Sequence, residues 1–253
     1  MAFRPRVIPV LLLKGQGLVK TVKFDKSRYI GDPINAVRIF NDLEVDELVF
    51  LDILASKENR TISVDIVKQI GDEAFMPFAI GGGIKTVAQA LSLIQAGAEK
   101  VILNTAFIET PQLVNDLSKL IGNQSVVVSL DVKKNWLGNY KAAIYAGCRT
   151  IEDSPVELAK KAEQLGAGEL IINSIGNDGV MTGYNLELIK QISAAVNIPV
   201  VACGGAGKIQ HFKEAVDAGA HAVAAGSMFV YHGARNGILI NYPDKEQLVK
   251  VFA

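Results

Sequence analysis

The sequence contains little of what defines several large classes of protein. Its two cysteines, Cys148 and Cys203, are too few for a disulfide framework and lack metal-binding CxxC spacing, so we expect both to be reduced. Lys and Arg number 26 against 26 Asp and Glu, and no basic run is longer than a pair. Without excess positive charge, binding to nucleic acid or to an anionic membrane is not expected.

Signals for secretion, metals and cofactors are also missing. The apolar stretch Val7 to Leu13 is short, contains Pro9 and precedes no cleavage site, so it predicts a strand and a cytoplasmic protein. No cluster has metal-ligand spacing, and the Gly-rich turns lack the dinucleotide fingerprint, so neither a metal nor a cofactor is expected. His211, His221 and His232 stand where we expect no catalytic role.

Short apolar runs recur along the chain at fairly even intervals, with helical periodicity between them. There are eight runs: 6–13, 47–51, 77–80, 100–103, 125–130, 169–172, 199–202 and 221–225. Nearly all lack the alternation of a half-buried strand, as expected for parallel strands covered on both faces. Eight such units in 253 residues fit a (β/α)8 TIM barrel, although an open doubly wound sheet has similar local units.

An internal repeat favours the barrel over the open sheet. The segment 77–83 resembles 199–205, and 96–98 matches 218–220, both at a separation of 122 residues. Four βα units duplicated once give eight, which closes a barrel. The sequence therefore predicts one (β/α)8 domain over 1–253 with half-barrels of about 1–122 and 123–253.

Ligand sites of such barrels lie at the carboxyl ends of the strands, where this sequence has two related Gly-rich turns. Each turn has a hydroxyl residue 22 positions later, and together they predict two phosphate cradles. The cradle residues are Gly82, Gly83, Asn104 and Thr105 in one half, and Gly204, Gly205, Ala206, Gly226 and Ser227 in the other. Although a single Gly-rich turn could be only a tight connection, the pair indicates a ligand with a phosphate at each end.

Three aspartates follow predicted strands and are candidates for proton transfer or ligand binding: Asp52, Asp131 and Asp178. Asp131 ends an otherwise apolar strand, where a carboxylate costs desolvation unless it is used. Asp178 precedes a glycine, so an ordinary turn is an alternative. The repeat aligns Asp131 with Leu12, which cannot transfer a proton. Cys203 is interpreted as a core residue.

The amino-terminal face of the predicted barrel carries four charged residues at the starts of strands: Arg6, Glu47, Lys100 and Glu169. Two cations and two anions at one level can form a neutral ring across the bottom of the barrel. From spacing alone, a structural plug is the favoured interpretation, because that face of the fold usually serves stability.

With these residues in place, the chain resembles the cyclase subunit of imidazole glycerol phosphate synthase, a barrel of histidine biosynthesis. The resemblance spans nearly the whole chain and rests on several short motifs. They are 6–11, 46–52, 81–84, 104–105, 130–131, 166–169, 178–179, 183–184 and 204–206. It implies a partner glutaminase at the amino-terminal face. It also implies ammonia entering through a gate of Arg6, Glu47, Lys100 and Glu169, and a bis-phosphorylated substrate that is converted to imidazole glycerol phosphate and aminoimidazole carboxamide ribotide.

The chain departs from the family at the positions that carry the chemistry. The family's catalytic aspartate on strand one corresponds to Leu12, its acid on strand five to Asp131, and its strand-one lysine to Lys20. After strand six, Gly176 to Val180 lacks one carboxylate and one hydroxyl of the family pattern, and the tail from Tyr231 to Pro243 does not match. Because loss of a general base costs about 10² to 10⁴ in rate, efficient cyclisation is in question.

Two functional hypotheses follow. In the first, the chain is a working cyclase in which Asp131 is the acid and Asp178 or a bound water replaces the missing base. In the second, the chain chiefly delivers ammonia to a separate sugar amidotransferase, as in relatives associated with surface-polysaccharide biosynthesis. The amidotransferase would bind at the mouth of the barrel, the carboxyl end of the strands, where the family's catalytic residues are incomplete. Leu12 and the unusual tail favour the second hypothesis.

Overall fold

The computed structural model describes residues 4–233 and 235–253, which form fourteen strands and nine α-helices. The strands are β1 (Arg6–Lys14), β2 (Gly17–Lys20), β3 (Arg28–Gly31), β4 (Leu48–Asp52), β5 (Phe78–Gly81), β6 (Lys100–Leu103), β7 (Val126–Lys134), β8 (Tyr140–Ile144), β9 (Arg149–Thr150), β10 (Glu169–Ser174), β11 (Val200–Cys203), β12 (Ala222–Ala225), β13 (Tyr231–His232) and β14 (Gly237–Ile238). The helices are α1 (Pro33–Asp42), α2 (Val64–Glu73), α3 (Val87–Gln95), α4 (Thr105–Glu109), α5 (Gln112–Ile121), α6 (Pro155–Gln164), α7 (Leu186–Ser193), α8 (Gln210–Asp217) and α9 (Lys245–Phe252).

Eight parallel strands close into a barrel. Each pairs with the next in the order β1, β4, β5, β6, β7, β10, β11 and β12, and β12 pairs back with β1. Helices cover the outside of this barrel between successive strands, so the predicted (β/α)8 fold is confirmed. The division into half-barrels near residue 122 stays a prediction.

Local sequence signals explain where the covering helices begin. Asp32 and Ser154 accept hydrogen bonds from backbone N–H groups in the first turns of α1 and α6, and proline occupies the first position of both helices. Thr86 and Gln89 form a capping box at the start of α3. Among the described residues, no helix combines the length and apolarity needed to cross a bilayer.

The apolar core has two parts, one outside the strands and one inside the barrel. The larger cluster packs strand residues such as Leu11, Phe50 and Val128 against the helices. The inner cluster fills the barrel axis, and its buried members are Ile8, Val10, Val49, Ala79, Ile102, Val127, Ile171, Val201, Ala222 and Ala224. Because strand side chains alternate between faces, residues two positions beyond these inner members reach the ends of the barrel.

Strands β1 and β7 extend past the barrel into antiparallel hairpins. Strand β1 pairs with β2, and β7 pairs with β8, at equivalent positions of the two halves. The tail from Tyr231 to Pro243, which does not match the family pattern, forms the β13–β14 hairpin and then runs back to the barrel. There the Tyr242 hydroxyl donates to Val7 O (2.8 Å), and its ring lies against Phe229 at 5.3 Å between centroids. The tail therefore ties the last helix, α9, to the start of the first strand.

Candidate functional site

A cavity of about 370 Å³ opens at the carboxyl ends of the barrel strands. All fourteen residues that the sequence indicated for catalysis or ligand binding line it, which brings together residues up to 215 positions apart (227−12). They are Leu12, Lys20, Asp52, Gly82, Gly83, Asn104, Thr105, Asp131, Asp178, Gly204, Gly205, Ala206, Gly226 and Ser227. The cavity is concave and mixed in polarity, as ligand sites are.

The first predicted cradle follows β5. Gly83 has φ of +64°, and a Cβ placed on it would lie 1.8 Å from Arg60 O, so no other residue fits this turn. Thr105 is buried at the start of α4, where its hydroxyl accepts a hydrogen bond from Tyr145 N (3.3 Å). Asn104, one residue earlier, lies at the amino end of the same short helix.

The second predicted cradle follows β11 and has the same construction. Gly205 has φ of +121°, and a Cβ on it would lie 2.1 Å from Gly183 O. The two glycines are also joined by a hydrogen bond from Gly183 N to Gly205 O (2.8 Å). Ser227 is buried at the start of the turn after β12. Both cradles therefore present glycine backbone and a buried hydroxyl to one cavity, although their role in binding phosphate stays a prediction.

The carboxyl group of Asp131 lies between two asparagines. Asn104 Nδ2 donates to Asp131 Oδ2 (3.3 Å), and Asn173 Nδ2 donates to Asp131 Oδ1 (3.2 Å). Burial raises the pKa of Asp131 to about 7, against the opposing effect of the Asn173 bond, and Asp178 adds to the rise. A carboxyl that is partly protonated at neutral pH can donate or accept a proton there.

Lys20 approaches the cavity from the hairpin rather than from a barrel strand. It ends β2, whereas the resemblance placed the matching lysine on strand one. The ammonium group is buried and donates to Val10 O, and a Cβ on Gly226 would lie 2.5 Å from Nζ. Burial lowers the pKa of Lys20 to about 8, opposed by Asp178 and Cys203.

Asp178 lies in the turn after β10 and faces Lys20 and Thr21. The Thr21 hydroxyl donates to Asp178 Oδ2 (3.3 Å), and the Asp178 carbonyl accepts from Lys23 N (2.9 Å). Burial raises the pKa of Asp178, while Lys20 opposes the rise. The carboxylate thus links the β2 hairpin to the mouth of the barrel.

Leu12 brings no proton-transfer group to the mouth. Its side chain packs with Leu51 against the inner apolar cluster and lines the cavity. Asp131, which the sequence repeat aligns with Leu12, lines the same cavity. The two positions that the repeat aligns therefore differ in chemistry.

The structure gives Asp52 contacts that the sequence did not indicate. Both of its oxygens accept from the Arg60 guanidinium, and Oδ1 also accepts from Leu54 N (3.0 Å) and Ala55 N (3.1 Å). The carboxylate therefore orders the loop after β4. Its predicted contact with a ligand stays a prediction.

At the opposite end of the barrel, the four predicted charged residues form a closed ring. Arg6 donates to Glu47 and to Glu169, while Lys100 Nζ donates to Glu47 Oε1 (2.8 Å) and Glu169 Oε2 (3.0 Å). The carboxylates are nearly fully buried, with side-chain exposures of 4% for Glu47 and 8% for Glu169. Cations and anions alternate around the ring, which stands directly below the inner apolar cluster.

Cys203 and Asn173 are among the cavity-lining residues that the sequence did not indicate as part of the site. Cys203, interpreted as core, ends β11 and lines the cavity, although burial raises the pKa of its thiol to about 12. Asn173 lies near the carboxyl end of β10. It is in register with Asp131 on the neighbouring strand β7 and with Cys203 on the neighbouring strand β11. Both could have been found by the rule that identified Asp131, because each stands at the carboxyl end of an apolar strand.

Comparison with known proteins shows the family to which the chain belongs. The model of the histidine biosynthesis protein family matches residues 6–235. The "Putative imidazole glycerol phosphate synthase subunit HisF" of Leptospira interrogans is 44% identical over 251 residues, which cover 98% of this chain and 99% of that protein. The "Putative imidazole glycerol phosphate synthase subunit hisF2" of Pseudomonas aeruginosa is 46% identical over 246 residues, with 97% and 98% covered. The imidazole glycerol phosphate synthase subunit HisF of Petrotoga mobilis is 43% identical over 247 residues, with 97% and 96% covered. The chain therefore belongs to the histidine biosynthesis protein family and is a HisF-type member of it.

Proposed function

We propose that the chain takes ammonia from a glutaminase subunit docked at the amino-terminal face and passes it along the barrel axis to a bis-phosphorylated ligand. The observation that carries this proposal is the closed ring of Arg6, Glu47, Lys100 and Glu169. It covers one end of an apolar barrel interior whose other end opens into the ligand cavity.

The barrel interior favours neutral ammonia over ammonium. Side chains along the axis are apolar, and Ala79, Ala222 and Ala224 are the smallest of the buried ones. Moving an ion through such surroundings costs several kcal/mol or more, whereas a small neutral molecule avoids that cost. Opening requires one ring cation to leave its carboxylates, and Lys100 is the more flexible of the two.

At the mouth, the reaction supported by family membership is cyclisation. The two cradles hold the terminal phosphates and place the central part of the ligand beside Asp131. With a pKa of about 7, Asp131 is the general acid. Asp178 or a water bound to it replaces the base that Leu12 lacks, and the products are imidazole glycerol phosphate and aminoimidazole carboxamide ribotide.

A second candidate is favoured by one observation, the apolar packing of Leu12 at the position of the family's base. Here the chain delivers ammonia, and a separate sugar amidotransferase in surface-polysaccharide biosynthesis supplies the activated acceptor at the mouth. The gate and the barrel interior keep the same role in both candidates.

The experiment that separates them supplies excess ammonium at alkaline pH, so that no glutaminase is needed. The wild type is given the bis-phosphate of histidine biosynthesis beside two variants, Leu12→Asp and Asp131→Asn. Turnover by the wild type that Asp131→Asn abolishes supports the cyclase. Activity that arises only in Leu12→Asp supports the delivery subunit. If none of the three proteins turns over or binds the bis-phosphate, the cyclase candidate fails.

A further inference from the structure

The hydroxyl group of Tyr242 reaches the start of strand β1, beside the charged ring. It donates to Val7 O (2.8 Å) and lies 3.3 Å from Asp46 Oδ2, which accepts from Val7 N (2.8 Å). Val7 directly follows Arg6 in the chain, and Asp46 directly precedes Glu47. The tyrosine hydroxyl therefore touches the chain neighbours of two members of the ring.

These contacts take the place of strand pairing at the lower end of β1. Pairing of β1 with β12 begins at Arg6, whereas pairing of β1 with β4 begins at Val10. Val7 lies before that point, and the N–H and C=O groups of one strand residue point to the same side. The Asp46 carboxylate binds the N–H group and the Tyr242 hydroxyl binds the C=O group. Because Val7 is fully buried, its backbone groups need these partners.

Asp46 is itself fixed by a second contact with the same stretch of chain. Arg4 Nη1 and Nη2 donate to the two oxygens of the Asp46 carboxylate, at 2.6 Å and 2.8 Å. A bidentate pair of this kind fixes the orientation of both groups. Arg4 and Val7 lie on either side of Arg6 in the chain. One carboxylate therefore holds the chain on both sides of Arg6, and the tyrosine hydroxyl completes this support.

The position of the Arg6 backbone decides whether the ring can close. The Arg6 side chain is long and 35% exposed, and its guanidinium group must reach both Glu47 and Glu169. A long side chain loses much conformational freedom when it is held at two points, so the contact depends on a backbone that is already fixed. If the start of β1 moved, two buried carboxylates would lose one of their two cations.

We propose that Tyr242 is a positioning residue for the charged ring: it holds the start of β1 in the place from which Arg6 bridges the two carboxylates. The inference rests on the proposed function, because it treats the ring as the gate through which ammonia enters. Tyr242 acts through the backbone of Val7. It belongs to the tail that departs from the family pattern, so this chain supports the ring with a segment of its own.

Nuclear magnetic resonance of the full-length, ¹⁵N-labelled chain tests the role without requiring turnover. The guanidinium signals of Arg6 are identified as those absent from Arg6→Lys, and the exchange of their protons with water is measured in the wild type and in Tyr242→Phe. Phenylalanine removes the hydroxyl and keeps the aromatic ring that packs on Phe229. The matched control is Tyr184→Phe, because the Tyr184 hydroxyl also donates to a backbone carbonyl of a barrel strand, Ala224 O (3.0 Å).

We expect the Arg6 protons to exchange about fivefold faster in Tyr242→Phe, the factor in an equilibrium constant that loss of one ordinary hydrogen bond produces. Tyr184→Phe should leave their exchange unchanged. An unchanged rate in Tyr242→Phe overturns the inference. Equal acceleration in the two variants also overturns it, because a general loss of stability then explains both.

The measurement uses neither a glutaminase nor a ligand, so its outcome is independent of the proposed function. If Arg6 responds to Tyr242→Phe but the chain takes no ammonia from a glutaminase, Tyr242 still positions the ring, and only the role of the ring as a gate is lost.

Discussion

Replacing Lys100 with methionine tests whether the charged ring is the buried network that its geometry indicates. Methionine keeps much of the apolar stem but removes the cation that bridges Glu47 and Glu169. Both carboxylates then share Arg6 alone. Removing one partner of a buried ion pair costs about 3 to 5 kcal/mol. Because Arg6 remains and is partly exposed, we expect a smaller loss in the free energy of unfolding, about 2 to 3 kcal/mol.

Urea unfolding followed by circular dichroism measures the loss of free energy of unfolding in Lys100→Met. The matched control is Lys141→Met, which breaks a pair with Glu152, a side chain that is 94% exposed. Such a surface pair contributes less than about 1 kcal/mol. Adding Glu47→Gln to Lys100→Met restores the balance of charge around the ring, so the double variant should regain stability. A loss in Lys100→Met no larger than in the control, or no recovery in the double variant, would refute the reasoning.

Three further predictions concern the mouth, the docking face and the tail. Burial raises the pKa of Asp131 from 3.8 to about 7, so between these pH values the folded state holds a proton that the unfolded state has lost. The free energy of unfolding should therefore fall as pH rises from about 4 to about 7. The midpoint of urea unfolding, measured across this pH range, should fall in the wild type and change less in Asp131→Asn. Phe75, 88% exposed in the loop before β5 at the amino-terminal face, should anchor the glutaminase, so Phe75→Ala weakens the complex by about 30-fold in calorimetry. Trp136→Ala, equally exposed at the other end, should not change that affinity. Tyr242→Phe loses the bond to Val7 O and should cost about 1 kcal/mol in urea unfolding, whereas an unchanged midpoint contradicts the docking of the tail.

The barrel and its ligand face could be predicted from sequence because their signals are local. Parallel strands buried on both faces leave uninterrupted apolar runs, and the residue after each run must lie at the carboxyl edge of the sheet. That rule located Asp131 and both Gly-rich turns before any contact was known. It would also have located Asn173 and Cys203, had it been applied to every strand end.

Contacts between distant residues were decided only by the tertiary structure. Lys20 reaches the cavity because the chain turns back after β1 to form the hairpin with β2. The Asp52 carboxylate accepts a hydrogen bond from Arg60. Neither contact could be predicted from the periodicity of the strands. The tail does not match the family pattern, yet it packs on the first strand, where the Tyr242 hydroxyl donates to Val7 O.

The sequence by itself therefore determined the fold class, the family and the face that holds the ligand, because these follow from hydrophobic periodicity and short motifs. Only the tertiary structure decided which atoms pair within the ring of four charges and that burial brings the pKa of Asp131 near 7. The physical reason is that hydrogen-bond partners and desolvation depend on distances across the barrel. Those distances join residues far apart in the chain and leave no mark on its local pattern.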